Sequence, residues 1–219
     1  MRLIVVAFAC VLFTAQLAAS EQPKLFKTWA YKAPMTLFSE AQGFYDCAAD
    51  FGGKAVCSDD VEFVGGNFGA VLIPMDGQLA QVTLVSEFDN DLYIKAIGAL
   101  ANGFTMVSMR GASDQLDMVE SIHTSQSIQQ FQSRINDYET LNLNQGQLTY
   151  TFIEQPPEVV RRFRTAHALA SGAPDTARTA ELIVMDNAEH SVLMVKFTLP
   201  KLFLESARES VQQLPVEDF

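Results

Sequence analysis

Two cysteines, Cys47 and Cys57, are the residues of this chain whose chemistry is most constrained by their spacing. The segment between them contains Gly52-Gly53, which lets the backbone reverse its direction. In an oxidising compartment, an even pair at this spacing is predicted to form a disulfide that closes a short, hairpin-like loop. The alternatives are a redox pair or a metal-binding pair. The spacing is not Cys-x-x-Cys and no histidine lies nearby in the sequence, so the disulfide is favoured.

Three arginines in four residues, Arg161, Arg162 and Arg164, form a local positive patch in an acidic chain. Guanidinium groups hold carboxylates and phosphates through paired N–H donors, so this patch predicts a contact with an anion or a protein partner. Arg178 follows further along the chain as an additional candidate. The alternative is a solvated helix face whose arginines pair with the chain's own carboxylates.

Three histidines, His123, His167 and His190, are the candidates for acid–base catalysis by imidazole. None lies at metal-ligand spacing from another histidine or from a cysteine, so the sequence predicts no zinc site. It shows no signature of another metal or of a cofactor. The Gly-x-Ser-x-Gly motif of serine hydrolases is absent as well. A hydrolase would therefore need a site assembled from distant residues, for example a carboxylate with His123 or His167.

Glycines and acidic pairs that resemble binding motifs are interpreted as local structure. The glycine-rich segment 65–69 lacks the Lys-Ser/Thr that completes a phosphate loop, so it is predicted to join two strands. A loop that cradles a ligand is the alternative. Asp59-Asp60, and Asp89 with Asp91, lie where turns and helix starts favour carboxylates.

The charge balance limits the classes of partner. The chain has 219 residues and a net charge of −11. It therefore lacks the basic composition that binding to nucleic acid or to an anionic membrane requires. The negative charge is compatible with a basic protein partner, although solubility alone explains it equally well. The length is sufficient to bury a core as one domain or as two smaller lobes.

Residues 1–20 are predicted to be a cleavable signal peptide. Arg2 precedes the apolar run 3–13, and residues 18–20 are small, which favours cleavage after Ser20. The run is shorter than the roughly 20 residues that a membrane-spanning helix needs. A buried N-terminal helix is the alternative, but it would show a polar stripe that this run lacks. The sequence therefore predicts export to the periplasm or the exterior, with no membrane span after cleavage.

Strands are predicted most firmly around the dipeptide Asp76-Gly77. This dipeptide supplies the positive φ angles of a two-residue hairpin turn between strands at 69–75 and 78–85. Pro74 cannot donate a hydrogen bond to a neighbouring strand, so it is expected at an edge or a bulge. Further strands are predicted at 104–109, 148–153, 180–185 and 191–198.

Helices are predicted where apolar residues recur at intervals of three and four residues. The first helix is expected to begin at a cap formed by Asp89 or Asn90 and to end in a left-handed turn at Asn102-Gly103. Other predicted helices follow the caps Ser113 and Thr124/Ser125, run from Pro156-Pro157 through Ala166, and begin at Pro200.

Together these elements predict an α+β fold, with an antiparallel sheet built from hairpins and packed helices. A hairpin followed by a helix occurs in both halves of the chain, which suggests two similar hairpin-helix halves. Residues 21–213 are predicted to form a single domain. A surface loop at 171–176 marks the place where two halves would meet, and residues 214–219 are predicted to be a loose tail.

The functional hypothesis that best fits this sequence is an exported, non-enzymatic domain that binds another protein, as inhibitors, immunity proteins and accessory proteins do. Electrostatic complementarity would then favour a basic partner. Two alternatives remain open: a periplasmic hydrolase with a dispersed site, and a carrier of a small apolar ligand. The balance favours a protein that is not an enzyme, and the sequence does not specify an oligomeric state.

Overall fold

A nine-stranded antiparallel sheet organises the chain in the computed structural model, which describes residues 22–186 and 190–212. The predicted signal peptide, residues 187–189 of one predicted turn and the predicted tail lie outside the described residues. The strands are β1 Lys24–Phe26, β2 Trp29–Ala30, β3 Tyr45–Asp46, β4 Val56–Phe63, β5 Gly66–Met75, β6 Gln78–Glu87, β7 Thr105–Arg110, β8 Gln115–Asp117, β9 Gln147–Ile153, β10 Thr179–Asp186 and β11 Ser191–Thr198. The helices are α1 Ala48–Phe51, α2 Asn90–Gly103, α3 Met118–Thr124, α4 Ile128–Asn144, α5 Pro157–Val160, α6 Ala166–Gly172 and α7 Pro200–Gln212.

The strand order confirms the predicted α+β class. The large sheet runs β3-β4-β5-β6-β11-β10-β9-β7-β8, and β1 and β2 form a separate two-stranded sheet. The hairpin β5–β6 is followed by α2, and the hairpin β10–β11 is followed by α7. The last strands of the two hairpins pair with each other at the centre of the sheet, with Leu84 opposite Val195. On either side of residues 171–176, β9 and β10 are neighbouring strands of this same sheet.

The turn chemistry of the first hairpin is as predicted. Asp76 and Gly77 have φ angles of 49° and 75°, as a two-residue hairpin turn requires. The register between β5 and β6 shifts between Ile73 and Pro74, so the proline lies at a bulge. The glycine-rich segment 65–69 is a turn only at its start, because Gly66 already begins β5. It joins two strands, as expected.

Several helix boundaries differ from the prediction. Asp89 caps α2, accepting a hydrogen bond from the Leu92 amide at 2.9 Å, but the left-handed end predicted at Asn102-Gly103 is wrong. The helix instead runs straight into β7 through an extended Phe104. The cap of α4 is Ser127, not Thr124 or Ser125, because the Ser127 hydroxyl accepts from the Gln130 amide at 3.1 Å.

Two further predictions placed helical structure where the chain turns. Ser113 caps no helix, because residues 111–114 form a turn in which the Asp114 carboxylate accepts from the Tyr138 hydroxyl at 2.7 Å. The cap of α3 is Asp117. The helix predicted from Pro156-Pro157 through Ala166 is two short helices, α5 and α6, since the Thr165 hydroxyl caps α6 separately.

The main core lies between one face of the sheet and the helices α2, α4 and α7. It contains alternate residues of the central strands, among them Leu72, Leu84, Leu182 and Val195. Phe26, Phe63 and Phe197 pack in this core with ring centroids 5.4 to 6.5 Å apart. On the opposite face, α3, α5 and α6 cover one end of the sheet and the disulfide loop covers another. The centre of that face is half-buried.

The predicted disulfide is present. The Sγ atoms of Cys47 and Cys57 are 2.00 Å apart and both residues are buried. The enclosed segment reverses through the single turn of α1, which ends at a left-handed Gly52 with φ 65°, rather than through a hairpin. Closing a loop of this length stabilises the folded chain by about 2–3 kcal/mol in the chain-entropy treatment.

A polar cluster lies at the margin of the main core where α2, α4 and β9 meet, with Tyr150 buried and Tyr93 and Glu139 half-buried. The Tyr150 hydroxyl donates to the Glu139 carboxylate (Oε1) at 2.5 Å and lies 2.6 Å from the Tyr93 hydroxyl. Burial is the main reason that the pKa of Tyr93 is raised to about 12. Burial, together with the hydrogen bond to Glu139, also raises the pKa of Tyr150. We call these three residues the tyrosine–glutamate cluster.

This cluster predicts a loss of stability in alkali. Unfolded tyrosines ionise near their ordinary pKa of 10.0, whereas folded Tyr93 and Tyr150 keep their protons. The folded state therefore binds more protons, and the free energy of unfolding falls as the pH rises from about 10 to about 12. Urea unfolding at a series of pH values checks this. The double variant Tyr93→Phe/Tyr150→Phe should show a shallower decline, and an unchanged slope would contradict the assignment.

Candidate functional site

The three clustered arginines lie on the surface directly after α5. Arg161, Arg162 and Arg164 are all exposed, and none of them forms an ion pair with a carboxylate in the part of the chain that the structure describes. Their charge therefore faces solvent instead of being neutralised by this protein. The backbone turns between α5 and α6 at this point, so the patch is presented on a connecting segment.

Arg178, the fourth candidate, is engaged elsewhere. Its guanidinium donates to Glu154 at 2.8 and 3.1 Å and to the Leu25 carbonyl oxygen at 2.9 Å. It also lies over the Phe104 ring, 5.0 Å from the centroid. These contacts join the residue that precedes β10 to Leu25 of β1 and to Glu154 directly after β9, so Arg178 stabilises the fold and does not belong to the exposed patch.

An open groove of about 510 Å³ adjoins the patch, between the end of α3 and the start of α4. We call it the arginine groove; it is lined by Ile122, Ser125, Gln126, Ser127, Ile128, Phe131 and Arg161. Ile128 is 72% exposed and Ile122 is 40% exposed. Two large aliphatic side chains exposed beside a guanidinium are typical of a surface that binds another molecule.

Local hydrogen bonds hold the walls of this groove. Ser127 caps α4 and places Ile128 at the first helical position, and the Gln126 amide donates to the Gln130 side chain at 2.6 Å. His123 Nε2 lies 2.8 Å from the Phe163 carbonyl oxygen, which can only accept, so the imidazole donates. This bond ties α3 to the arginine segment. His123 is therefore a structural tether on the side of the groove.

The groove combines apolar surface with positive charge. Its isoleucines offer dispersion contacts, whereas Arg161 offers a planar fork of N–H donors that matches a carboxylate. The Ser125 hydroxyl is buried in its wall and has no hydrogen-bond partner among the described residues. A ligand that fits these features carries an apolar side chain close to a carboxylate.

No protein family, curated protein or solved structure matches this chain significantly. Its candidate surfaces therefore follow from geometry and charge alone. Within residues 22–186 and 190–212, no group of three His, Cys, Asp or Glu side chains is placed to hold a metal ion. None of the helices in these ranges is long and apolar enough to cross a membrane.

A second concave site lies on the opposite sheet face from the main core, beneath α6. We call this site the α6 cleft, and its volume is about 330 Å³. Strand residues form its floor: Ser108, Thr151, Thr179 and Glu181. Residues of α6 form one wall, namely Ala166, His167 and Ala170, and Arg110 and Gln115 are among the other lining residues. Here His167 and a carboxylate from a distant part of the chain, Glu181, line the same cleft. Sequence reasoning had proposed a dispersed site of this kind without identifying the carboxylate.

The packing of α6 explains why this cleft is open. Leu169 is fully buried in the smaller apolar cluster that also contains Val107 and Ile153 of the sheet, and it is the largest α6 side chain in this cluster. The first turn of α6 is held by the Asp117 carboxylate, which accepts from the Ala166 amide at 2.8 Å. Next to Leu169, α6 presents small residues, Ala166 and Ala170, to the cleft. Larger side chains there would fill the space.

The remaining candidates are placed in local structure. His190 is exposed immediately before β11 and lines a shallow surface depression. Asp59 accepts a hydrogen bond from the Tyr45 hydroxyl at 2.6 Å, which raises the pKa of that tyrosine. Asp89 serves as the cap of α2. Sequence reasoning identified the arginines but missed Ile122, Ile128, Ser108 and Arg110, because no local pattern marks an exposed isoleucine or a cleft formed by distant strands.

Proposed function

We propose that this protein is an exported, non-enzymatic domain that binds another protein through the arginine groove. The observation that supports this most directly is the exposure of Ile128 beside the guanidinium of Arg161, which forms no ion pair with any carboxylate among the described residues. Single exposed apolar side chains are ordinary on protein surfaces, but here two isoleucines and a guanidinium line one concave surface, as in sites that a partner covers. Export is supported by the pattern of residues 1–20 and is compatible with the disulfide, which forms in oxidising compartments.

The partner segment that fits this groove is short, apolar and acidic. An aliphatic or aromatic side chain would pack between Ile122 and Ile128, and a neighbouring carboxylate would bind Arg161. Arg162 and Arg164 would add a favourable field that speeds association at low salt. The net charge of −11 is compatible with a partner that is basic elsewhere on its surface, but the groove favours an acidic segment as the local contact.

Paired isoleucine variants test the groove. Ile128→Asn removes its most exposed apolar group, whereas Ile94→Asn changes an isoleucine of similar exposure, 58%, on α2. We expect Ile128→Asn to weaken binding of a captured partner by roughly 5- to 30-fold, the cost of removing an interface anchor. Ile94→Asn should bind as the wild type does. Partners are captured from envelope extracts, identified by mass spectrometry and then titrated against each purified variant.

Replacing the three clustered arginines tests the charged part of the same binding surface. Arg161→Gln/Arg162→Gln/Arg164→Gln should slow association and flatten its dependence on salt, because the steering charge is gone. If a partner binds both Ile128→Asn and the triple glutamine variant as tightly as it binds the wild type, the partner uses another surface. The groove proposal is then wrong. Recovery of no partner at low or moderate ionic strength would also count against it.

A further inference from the structure

We propose that the α6 cleft binds a free α-amino acid, with its carboxylate on Arg110 and its ammonium group on Glu181. This site is separate from the arginine groove and independent of the function proposed for it. The lining of the cleft includes the guanidinium of Arg110, on β7, and the carboxylate of Glu181, on β10, and both strands belong to the same sheet. A ligand that bears a carboxylate and an amine on one carbon matches these two groups.

Strand register sets the separation between these charges. Ser108 on β7 lies opposite Thr151 on β9, which lies opposite Glu181 on β10. Arg110 is two residues further along β7, on the same face as Ser108. From the rise per residue and the spacing of strands, the Cα atoms of Arg110 and Glu181 are about 12 Å apart. Two long side chains rising from one face can hold a small ligand between them across this distance.

The floor between the two charges is polar. The Ser108 and Thr151 side chains lie in the same cross-strand row as Glu181, and Arg110 follows two residues beyond Ser108; each hydroxyl can donate and accept a hydrogen bond. The Thr179 hydroxyl is already paired with Thr198 at 2.9 Å. Such a floor favours a hydrated, polar ligand over a lipid. A volume of about 330 Å³ is at the small end of ligand sites, which fits a single amino acid better than a peptide.

Glu181 forms an ion pair but retains capacity to accept further hydrogen bonds. Its Oε2 pairs with the Lys196 ammonium on the neighbouring strand β11. A carboxylate offers about four lone-pair positions over its two oxygens, so this ion pair leaves room for a ligand ammonium group. Arg110 forms no ion pair with a carboxylate within residues 22–186 and 190–209, and it is exposed. Its donors are therefore directed to water or to a ligand.

Thermal shift with each of the twenty amino acids, using the disulfide-bonded mature protein, is the first measurement. We expect at least one of them to raise the melting temperature, and calorimetric titration then gives its affinity. The amide of that amino acid, which lacks the carboxylate, and its α-hydroxy acid, which lacks the amine, should each bind roughly 10- to 100-fold more weakly. No shift with any of the twenty would overturn the proposal.

Two variants test which side chain binds the carboxylate of the ligand and which binds its amine. Arg110→Gln should remove the preference for the acid over the amide, and Glu181→Gln should remove the preference for the amine over the hydroxyl. Because Glu181→Gln breaks an ion pair, Ala170→Leu serves as a second variant that only fills the cleft and should abolish binding. Ser171→Leu, at the next position but outside the cleft lining, should bind normally. Retained preference in Arg110→Gln, or retained binding in Ala170→Leu, would reject the site.

Discussion

Replacing Tyr150 with alanine is expected to lower the free energy of unfolding by about 3–5 kcal/mol, the range for deleting a large buried ring. Tyr150 is 1% exposed and lies at the centre of β9, beneath α2 and α4. Its removal opens a cavity and strips the Glu139 carboxylate of its closest hydrogen-bond donor. The neighbouring strands are paired on both sides of β9, so the sheet cannot collapse to fill the space.

The variant Tyr150→Phe separates the ring from the hydroxyl. It keeps the packing but leaves Glu139, among the described residues, with the longer bond from Tyr93 at 3.2 Å as its remaining side-chain hydrogen bond. A hydrogen bond to a charged group contributes about 1.5–3 kcal/mol, so Tyr150→Phe should fall between the wild type and Tyr150→Ala in urea unfolding. Tyr45→Phe is the matched control, because its hydroxyl also bonds a carboxylate but the residue is 43% exposed. It should leave the stability close to that of the wild type, because surface substitutions usually have small effects.

The stability of Tyr150→Phe shows how much the hydrogen bonds of the tyrosine–glutamate cluster contribute to folding. Stability equal to that of the wild type would show that the Tyr93 hydroxyl compensates, and that the hydrogen bonds to Glu139 contribute little. A loss as large as that of Tyr150→Ala would instead show that the hydrogen bond to the half-buried Glu139, and not the ring, accounts for most of the contribution of Tyr150.

The elements that could be predicted from sequence are those with local causes. Asp76-Gly77 makes a hairpin turn because two adjacent residues adopt positive φ angles, and Asp89 caps α2 because its own carboxylate reaches an amide three residues on. The disulfide followed from the spacing of two cysteines. These features depend on neighbours in the sequence and hardly on the rest of the fold.

The wrong predictions share a different cause, which is contact with distant residues. Residues 111–114 turn because Tyr138, on α4, binds both the Gly111 amide and the Asp114 carboxylate. The helix predicted through residue 166 breaks before Thr165, where Phe163 is tied to His123 on α3. Neither partner is visible from the segment itself.

The candidate sites also divide into features with local causes, which the sequence predicts, and features that depend on distant residues, which it does not. The arginine patch was identified because three charges are adjacent in the sequence. The groove beside it was not, since Ile122 and Ile128 have the spacing of ordinary core residues, and only the packing of α3 and α4 leaves them exposed. The α6 cleft combines residues of β7, β9, β10 and α6, and the sheet order that brings these elements together was not predicted.

Gly146→Ala is expected to lower the free energy of unfolding by about 3 kcal/mol. Gly146 connects α4 to β9 with a φ of 85°, a conformation that costs other residues about 1–2 kcal/mol. A Cβ atom there would also lie 2.3 Å from the Asp186 carbonyl oxygen. This backbone cannot move away easily, because the Asp186 amide donates to the Gly146 carbonyl at 2.7 Å. The remaining loss is the cost of weakening this link between β9 and β10.

Gly98→Ala is the matched control and should have the opposite sign. Gly98 is exposed within α2, and a Cβ atom there would meet nothing within 4 Å. Alanine at such a helix position stabilises by about 0.5–1 kcal/mol, because glycine loses more backbone freedom on folding. Urea unfolding of both variants, followed by far-ultraviolet circular dichroism, measures the contrast. If Gly146→Ala is as stable as the wild type while Gly98→Ala gains stability as expected, the close approach of Gly146 to Asp186 is wrong.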